Sequence, residues 1–434
     1  MNVALAKTET GRAVNGVFAV ARERLPGSGK VADVRQQAFE AFERAGLPNR
    51  RVEEWKYTDL RALMREVLPL APAPDADAVK RARAALKTAS VKGAARLVLV
   101  DGVFVPELSD VPETGVSMIT LREALGGGDG TLLTTDATDA MIALNAAMAT
   151  DGVVISVADG LNLTRPLQII HVATASKVSA FTRSHVTIGK GARVTVVETF
   201  VAADSAEAYQ AHDAVLLSIG DGADLAHVRI VADAADSTNI TSGIFAVGAK
   251  VKYNLFNMTS GGALSRFQGF VTLNGEGSEL NINGVNLLKG TQHGDTTLVV
   301  DHAVPNCTSR EIFRAVVDDR AHSVFQGRII VRPHAQKTDG KMMTRALLLS
   351  DEAEADNKPE LEIFADDVTC GHGATAGALD ESLLFYLRAR GLPEKEAQAL
   401  LIQAFVGEAI EGIAHDDLRQ AAMAAAQHWL EARA

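Results

Sequence analysis

The residues best suited to chemistry lie late in the chain, in Asp366-Asp367-Val368-Thr369-Cys370-Gly371-His372-Gly373-Ala374-Thr375. Cys370 and His372 stand two apart among glycines, so a thiolate sulfur and an imidazole nitrogen are offered on permissive backbone. On an extended strand both side chains point to one face, where they could share a metal or meet a partner chain's ligands. Soft thiolate plus imidazole suits iron or zinc. Two ligands do not complete a site, and the competing reading is a buried small cysteine beside a hydrogen-bonded histidine. As a thiol hydrolase dyad the pair would need an oxyanion hole and a cleft, for which the sequence offers no argument.

Other candidates are looser. His293, Asp295, His302 and Cys307 could hold a metal if neighbouring coils of the chain stack them, but polar residues lining a coil explain them equally well; His322 and His334 have the same standing. His415, at the start of a helix, reads as a capping or surface residue. Glu352, Glu354, Asp356, Glu360, Glu362, Asp366 and Asp367 form an acidic, mostly solvated approach to Cys370. Gly126-Gly127-Gly128-Asp129-Gly130 has the glycines of a phosphate cradle without the Lys-Ser or Lys-Thr that must follow, and reads as a flexible loop. Cys307 and Cys370 are the only cysteines in 434 residues, too few for a disulfide framework, a four-cysteine zinc site or a cysteine-ligated iron–sulfur motif.

The elements that must position Cys370 and His372 change character along the chain. Val34, Ala38, Ala41, Phe42 and Ala45 recur at helical spacing and stop at Gly46-Leu47-Pro48, which predicts an amphipathic helix over 31–45. The segment 49–60 carries Trp55 and Tyr57 among charges; it reads as a docking loop that buries the aromatics, with a ligand or partner contact as the alternative. The prolines of 69–74 make a stiff link. A helix over 75–89, a strand over 95–100 and a helix over 137–149 follow.

From 152 to about 373 short β-rich stretches alternate with turns, and almost no segment is long enough for a helical crossover. One corner keeps returning: Gly189-Lys190-Gly191-Ala192, Gly220-Asp221-Gly222-Ala223, Gly248-Ala249-Lys250 and Gly275-Glu276-Gly277-Ser278, with Asp319-Arg320-Ala321 as a degenerate fifth copy. Aligned on Ala192, Ala223, Ala249 and Ser278, the corners recur about every 28 residues, within the range of solenoid repeats. A small residue at a repeated corner, followed by an apolar one, suits coils stacked into a β-helix with about three short strands per turn. A two-sheet sandwich also needs many short strands but gives no reason for its corner to repeat. Beyond 376 the chain turns helical: Asp380 caps a helix ending at Gly391, Pro393 opens a second, and a third runs over 416–432. The faces of the last two could cover the end of the β-body or hold a partner.

Two stretches resemble a known family. Asn49-Arg50-Arg51-Val52-Glu53-Glu54-Trp55-Lys56-Tyr57-Thr58 is one; the other runs from Lys358-Pro359-Glu360-Leu361-Glu362-Ile363-Phe364 through Cys370-Gly371-His372-Gly373 to Leu384-Phe385-Tyr386-Leu387-Arg388-Ala389-Arg390-Gly391. With the corner-rich body between them, they look like the SufB/SufD family over nearly the whole chain, and the scarcity of cysteines sets this chain apart from the longer, cysteine-richer SufB. The resemblance implies a right-handed parallel β-helix and a scaffold subunit of a SufBCD-type complex that assembles iron–sulfur clusters. It implies that His372, with Cys370 second, contributes metal ligands at a cluster-building interface with a SufB-like subunit. A C-terminal helical region would dock a SufC-like ATPase that carries the ATP.

The expected organisation is a mainly helical N-terminal region (1–150), a β-helix core (151–376) and a C-terminal helical domain (377–434). No cofactor of the isolated chain and no catalysis of its own are expected. The net charge of -11 argues against a nucleic-acid partner. No signal-peptide core and no uncharged 18-residue apolar run appear, so a cytoplasmic location without membrane insertion is the expectation. Two other readings stand beside this one: a stand-alone metal-binding or thiol-dependent enzyme, and a structural homodimer of β-helices.

Overall fold

A computed structural model describes residue 14 and residues 16–432. Two stacked sheets dominate it. The nine-stranded sheet contains β3 (Val116–Thr120), β4 (Val153–Val157), β6 (Ser179–Ile188), β8 (Gln210–Ile219), β10 (Thr238–Val247), β12 (Leu264–Leu273), β14 (His293–His302), β16 (His322–Val331) and β18 (Glu354–Ile363). The ten-stranded sheet contains β1 (Ala95–Val100), β2 (Val103–Phe104), β5 (Leu167–Ala173), β7 (Arg193–Ala202), β9 (Asp224–Ala232), β11 (Lys252–Thr259), β13 (Glu279–Leu288), β15 (Thr308–Val317), β17 (Asp339–Leu348) and β19 (Thr369–Gly377).

From β4 onward successive strands alternate between sheets, and from β6 onward each pairs in parallel with the strand two before. The result is a right-handed parallel β-solenoid, as the corner repeat and the resemblance implied. Each turn is built from two long strands rather than three short ones. The register is uneven: the coil that carries Thr238 to its partner Leu264 is shorter than the one that carries His322 to Glu354.

The physical basis of the corner is a left-handed residue. Gly191, Gly222, Lys250, Gly277, Asn306 and Lys337 all have φ between 55° and 74°, each two positions before a strand of the ten-stranded sheet. The next residue turns inward, giving a buried column of Ala192, Ala223, Val251, Ser278, Cys307 and Thr338. Each accepts a hydrogen bond from the first strand residue of the following turn, as when Thr308 N–H donates to the Ser278 carbonyl. Val251, not Ala249, therefore occupies this column, because Lys250 takes the left-handed place that glycine fills elsewhere. Ala321, in the fifth copy, precedes β16 and lies at the opposite edge of the solenoid.

Between the sheets lies an apolar core that includes Val196, Val215, Phe245, Leu255, Ile282, Val300 and Ile329. Helices cover the outer faces. α1 (Lys30–Ala45) and α5 (Ala140–Met148) pack Phe39, Phe42, Met141 and Leu144 with Phe181, Ile240 and Leu264 of the nine-stranded sheet. α2 (Leu60–Leu63) starts at Asp59, and α3 (Ala76–Ala89), capped by the Asp75 side chain, lies over Val98, Val100, Ile170 and Val172. α4 (Leu121–Gly126) runs into the glycine segment, where Gly130 opens a short 3-10 turn.

α6 (Glu381–Ala389), capped by Asp380, is followed by α7 (Glu394–Ile410) and α8 (Asp416–Glu431). Ile402, Val406, Leu418 and Trp429 pack on Val228, Phe256, Met258, Val285 and Val316. The last two helices thus cover the outer face of the ten-stranded sheet, not the end of the β-body. No helix among the described residues is long and apolar enough to cross a membrane.

Candidate functional site at the open end of the solenoid

Both sheets stop on strands with one partner. Among the described residues β18 pairs only with β16, and β19 only with β17. Their outer edges carry backbone donors and acceptors with no further strand to meet, a template for β-addition. Pro359 interrupts the donors on β18.

The inward face of this last rung is uncovered core. Cys370 pairs in register with Gly340 and His372 with Met342, which is buried in the central core. Both side chains therefore face inward at the end of the stack, as expected for strand residues two apart. Across from them Asn357, Pro359, Leu361 and Ile363 take the inward positions of β18. Thr344 Oγ1 donates to Asn357 Oδ1 at 2.8 Å, joining the two sheets there. Cys370 is half-buried against the core, whereas His372 is exposed because no further rung lies over it.

The electrostatics do not activate the thiol. Burial pushes the Cys370 thiol up; the Gly340 N–H acts in the opposite direction, while the carboxylates of Asp339 and Glu311 push it higher. Glu311 lies in the same inward column as His372, beneath Met342, and burial lifts its own carboxyl to about 8. Sequence reading did not single out Glu311 or Asn357, since only the sheet register puts them under and opposite the cysteine–histidine pair.

The remaining candidates separate. Cys307 is a corner residue whose buried Sγ donates to the Gly275 carbonyl at 3.4 Å. His302 Nε2 meets Ser309 Oγ at 3.0 Å inside the solenoid. His293 and Asp295 both contact Thr58, so the set does not converge on one ion. His322 pairs with Asp356 at 2.8 Å, His334 is exposed, and His415 holds the N-cap position of α8 without a side-chain cap bond. The acidic approach is ion-paired in part: Arg328 meets Glu360 and Glu362 (both 3.4 Å), and Lys337 meets Asp367.

The Trp55 stretch docks. Trp55 is fully buried, its Nε1 donates to Asp139 Oδ2 at 2.8 Å, and the Arg266 guanidinium lies 3.7 Å from a ring centroid of its indole. Arg266 also pairs with Asp295 and donates to the Glu54 carbonyl. Glu53 meets Lys358 of β18, so the two stretches that resemble the family touch each other beside the open end.

Residues 171–405 match the family model described as the SUF system FeS cluster assembly, SufBD core domain, and residues 25–70 and 130–169 match the SufBD protein N-terminal region. The chain belongs to the SufBD family. The iron-sulfur cluster assembly protein SufD of Escherichia coli is 33% identical over 90% of both chains. A SufBD family protein of Synechocystis is 31% identical over 87% of this chain and 86% of its own. SufD of Bacillus subtilis is 27% identical over 62% of each. Membership makes this SufBD chain a scaffold protein of iron–sulfur cluster assembly, and two of these relatives are SufD proteins.

Proposed function

We propose that this chain is the SufD-like scaffold subunit of a SufBCD-type complex. Its open solenoid end would meet a SufB-like subunit, and its C-terminal helices would dock a SufC-like ATPase. The observation that carries the reading is the uncovered last rung: two free strand edges flank an inward-facing Cys370 and His372 over exposed core. A solenoid needs a terminal cap for its apolar interior, and a homologous solenoid supplies one by continuing both sheets.

A nascent cluster is cargo in this reading, not a resident cofactor. Cys370 and His372 offer one sulfur and one nitrogen, and the partner's end face would complete the set. Iron or a partner cation would favour the Cys370 thiolate, which its own surroundings disfavour. The same fact weighs against a stand-alone thiol enzyme. ATP would be bound and hydrolysed by the SufC-like subunit.

The test is coexpression with SufB-like and SufC-like subunits, followed by subunit ratio, bound iron and cluster formation. His372→Ala is expected to leave the complex assembled while lowering cluster formation, with a smaller loss for Cys370→Ser. Wild-type cluster formation in both variants would remove the pair from the mechanism. A chain ending at Asp380 is expected to lose the ATPase, and undiminished binding would reassign the helices.

A second copy of the chain would satisfy the same free edges, so a homodimer is the alternative occupant.

A further inference from the structure

Near the other end of the solenoid, roughly six rungs and about 30 Å from Cys370 at a typical strand spacing, three ligand-type side chains, two buried and one half-buried, face one another. A ring nitrogen of His171 on β5 and carboxylate oxygens of Glu198 on β7 and Asp213 on β8 all lie within 4.8 Å of each other. Glu198 is 1% exposed and Asp213 3%.

Their partners leave room for one more. Glu198 Oε2 accepts from His227 Nε2 and Arg229 Nε, both at 2.8 Å, so neither donor engages its other oxygen. Asp213 Oδ1 accepts from Thr182 Oγ1 at 2.6 Å, while its buried Oδ2 has no hydrogen-bond partner. An unsatisfied carboxylate oxygen inside a protein is costly, and a second carboxylate, that of Glu198, lies beside this one. Phe200 stacks on the His171 ring with centroids 4.3 Å apart, and Thr182 Oγ1 lies 3.4 Å from its Nδ1. A cavity of about 30 Å³, lined by His171, Thr182, Phe200, Tyr209 and Asp233 among others, abuts the cluster on its His171 side. That is space for a water molecule.

We propose that His171, Glu198 and Asp213 bind one first-row divalent transition-metal ion inside the solenoid, with water from the adjoining cavity as a further ligand. One imidazole and two carboxylates, with no sulfur, suit zinc, manganese or ferrous iron rather than a soft monovalent ion. Such ions hold nitrogen and oxygen donors at about 2.0–2.2 Å, so the three donors need to close by only about 1 Å. The surrounding groups supply the outer shell that orients metal ligands: Thr182 on Asp213, Arg229 and His227 on Glu198, Phe200 on His171. Arg229 pairs with Glu198 and not with Asp213. Unlike the pair at the open end, these residues need no partner chain to meet.

The full chain, purified alone and again with its partner subunits, is stripped with a chelator and re-equilibrated separately with zinc, manganese and, anaerobically, ferrous iron. Elemental analysis is expected to find about one ion per chain, with affinity reduced at least about ten-fold by the isosteric Asp213→Asn. The double variant Cys370→Ser with His372→Ala should retain the ion. Loss of the ion in that double variant, full retention in Asp213→Asn, or negligible binding by the wild type would overturn the proposal. Should Asp213→Asn fail to fold, anomalous diffraction from wild-type crystals decides: a peak between the three side chains supports the site, and a peak elsewhere or none rejects it.

Discussion

Trp55 links a sequence feature to the placement of whole elements. Its indole is buried between the N-terminal region and the solenoid, held by Asp139 on one side and Arg266 on the other. Trp55→Ala removes that contact and leaves Asp139 and Arg266 partly uncompensated, so a loss of about 3–5 kcal/mol is expected in urea unfolding. A loss below about 1 kcal/mol would show that the docking contributes little to stability. Proton linkage gives a second prediction at this scale. Burial holds His302 at about 4, below the roughly 6.5 of an unfolded histidine. The native state thus binds fewer protons, so the stability contributed by His302 is fully present above pH 6.5 and is lost as pH falls towards 4. His302→Gln keeps a polar partner for Ser309 and removes the titration. Between pH 7 and 5 it should lose about 2 kcal/mol less stability than the wild type; equal losses would exclude His302 as a source of acid lability. The aromatic content of the 49–60 segment made its docking legible. Its partners were not, because Asp139 and Arg266 lie far along the chain and reach Trp55 only through the fold.

At the scale of elements, α6 stands apart from its neighbours. α7 and α8 bury Ile402, Val406, Leu418 and Trp429 on the ten-stranded sheet, yet α6 has no buried residue. It leaves Leu383, Phe385 and Tyr386 exposed at 51%, 74% and 55%. Exposed side chains of this kind on a capped helix suit the partner contact proposed for the C-terminal helices. Phe385→Asp should therefore leave the thermal midpoint of the isolated chain within about 1 °C while weakening capture of the SufC-like or SufB-like subunit. Unchanged binding of both would remove α6 from the interface. Helix limits in this region were readable because Asp380, Gly391 and Pro393 act locally. The surface that α7 and α8 cover was not, since an amphipathic stripe does not name its partner.

For the whole molecule, the asymmetry between its two ends matters most. At the start, antiparallel β2 and β3 terminate the two sheets, and helices lie against the outer faces. At the finish, β18 and β19 leave edges, Ile363 and Phe364 exposed. The chain without partners should associate through this end, giving a concentration-dependent dimer in sedimentation velocity. Ile363→Lys should shift it to monomer, since a buried charge would oppose edge-to-edge pairing. A monomer at every concentration, or a dimer indifferent to the substitution, would argue against the end face as a self-association site.

What the sequence determined by itself was everything governed by local rules: the helix caps, the β-rich middle, the recurring corner, and the strand that turns Cys370 and His372 to one face. The corner repeats because a left-handed residue and a small inward one must recur once per coil, which is a local demand. Two long strands per turn and the true place of Ala321 came only from tertiary structure, because pairing between coils tolerates insertions at either edge. The same register hides Glu311 beneath His372 and gathers His171, Glu198 and Asp213 from three strands. Side chains so far apart along the chain share no sequence pattern, and they meet only because parallel strands stack in the solenoid.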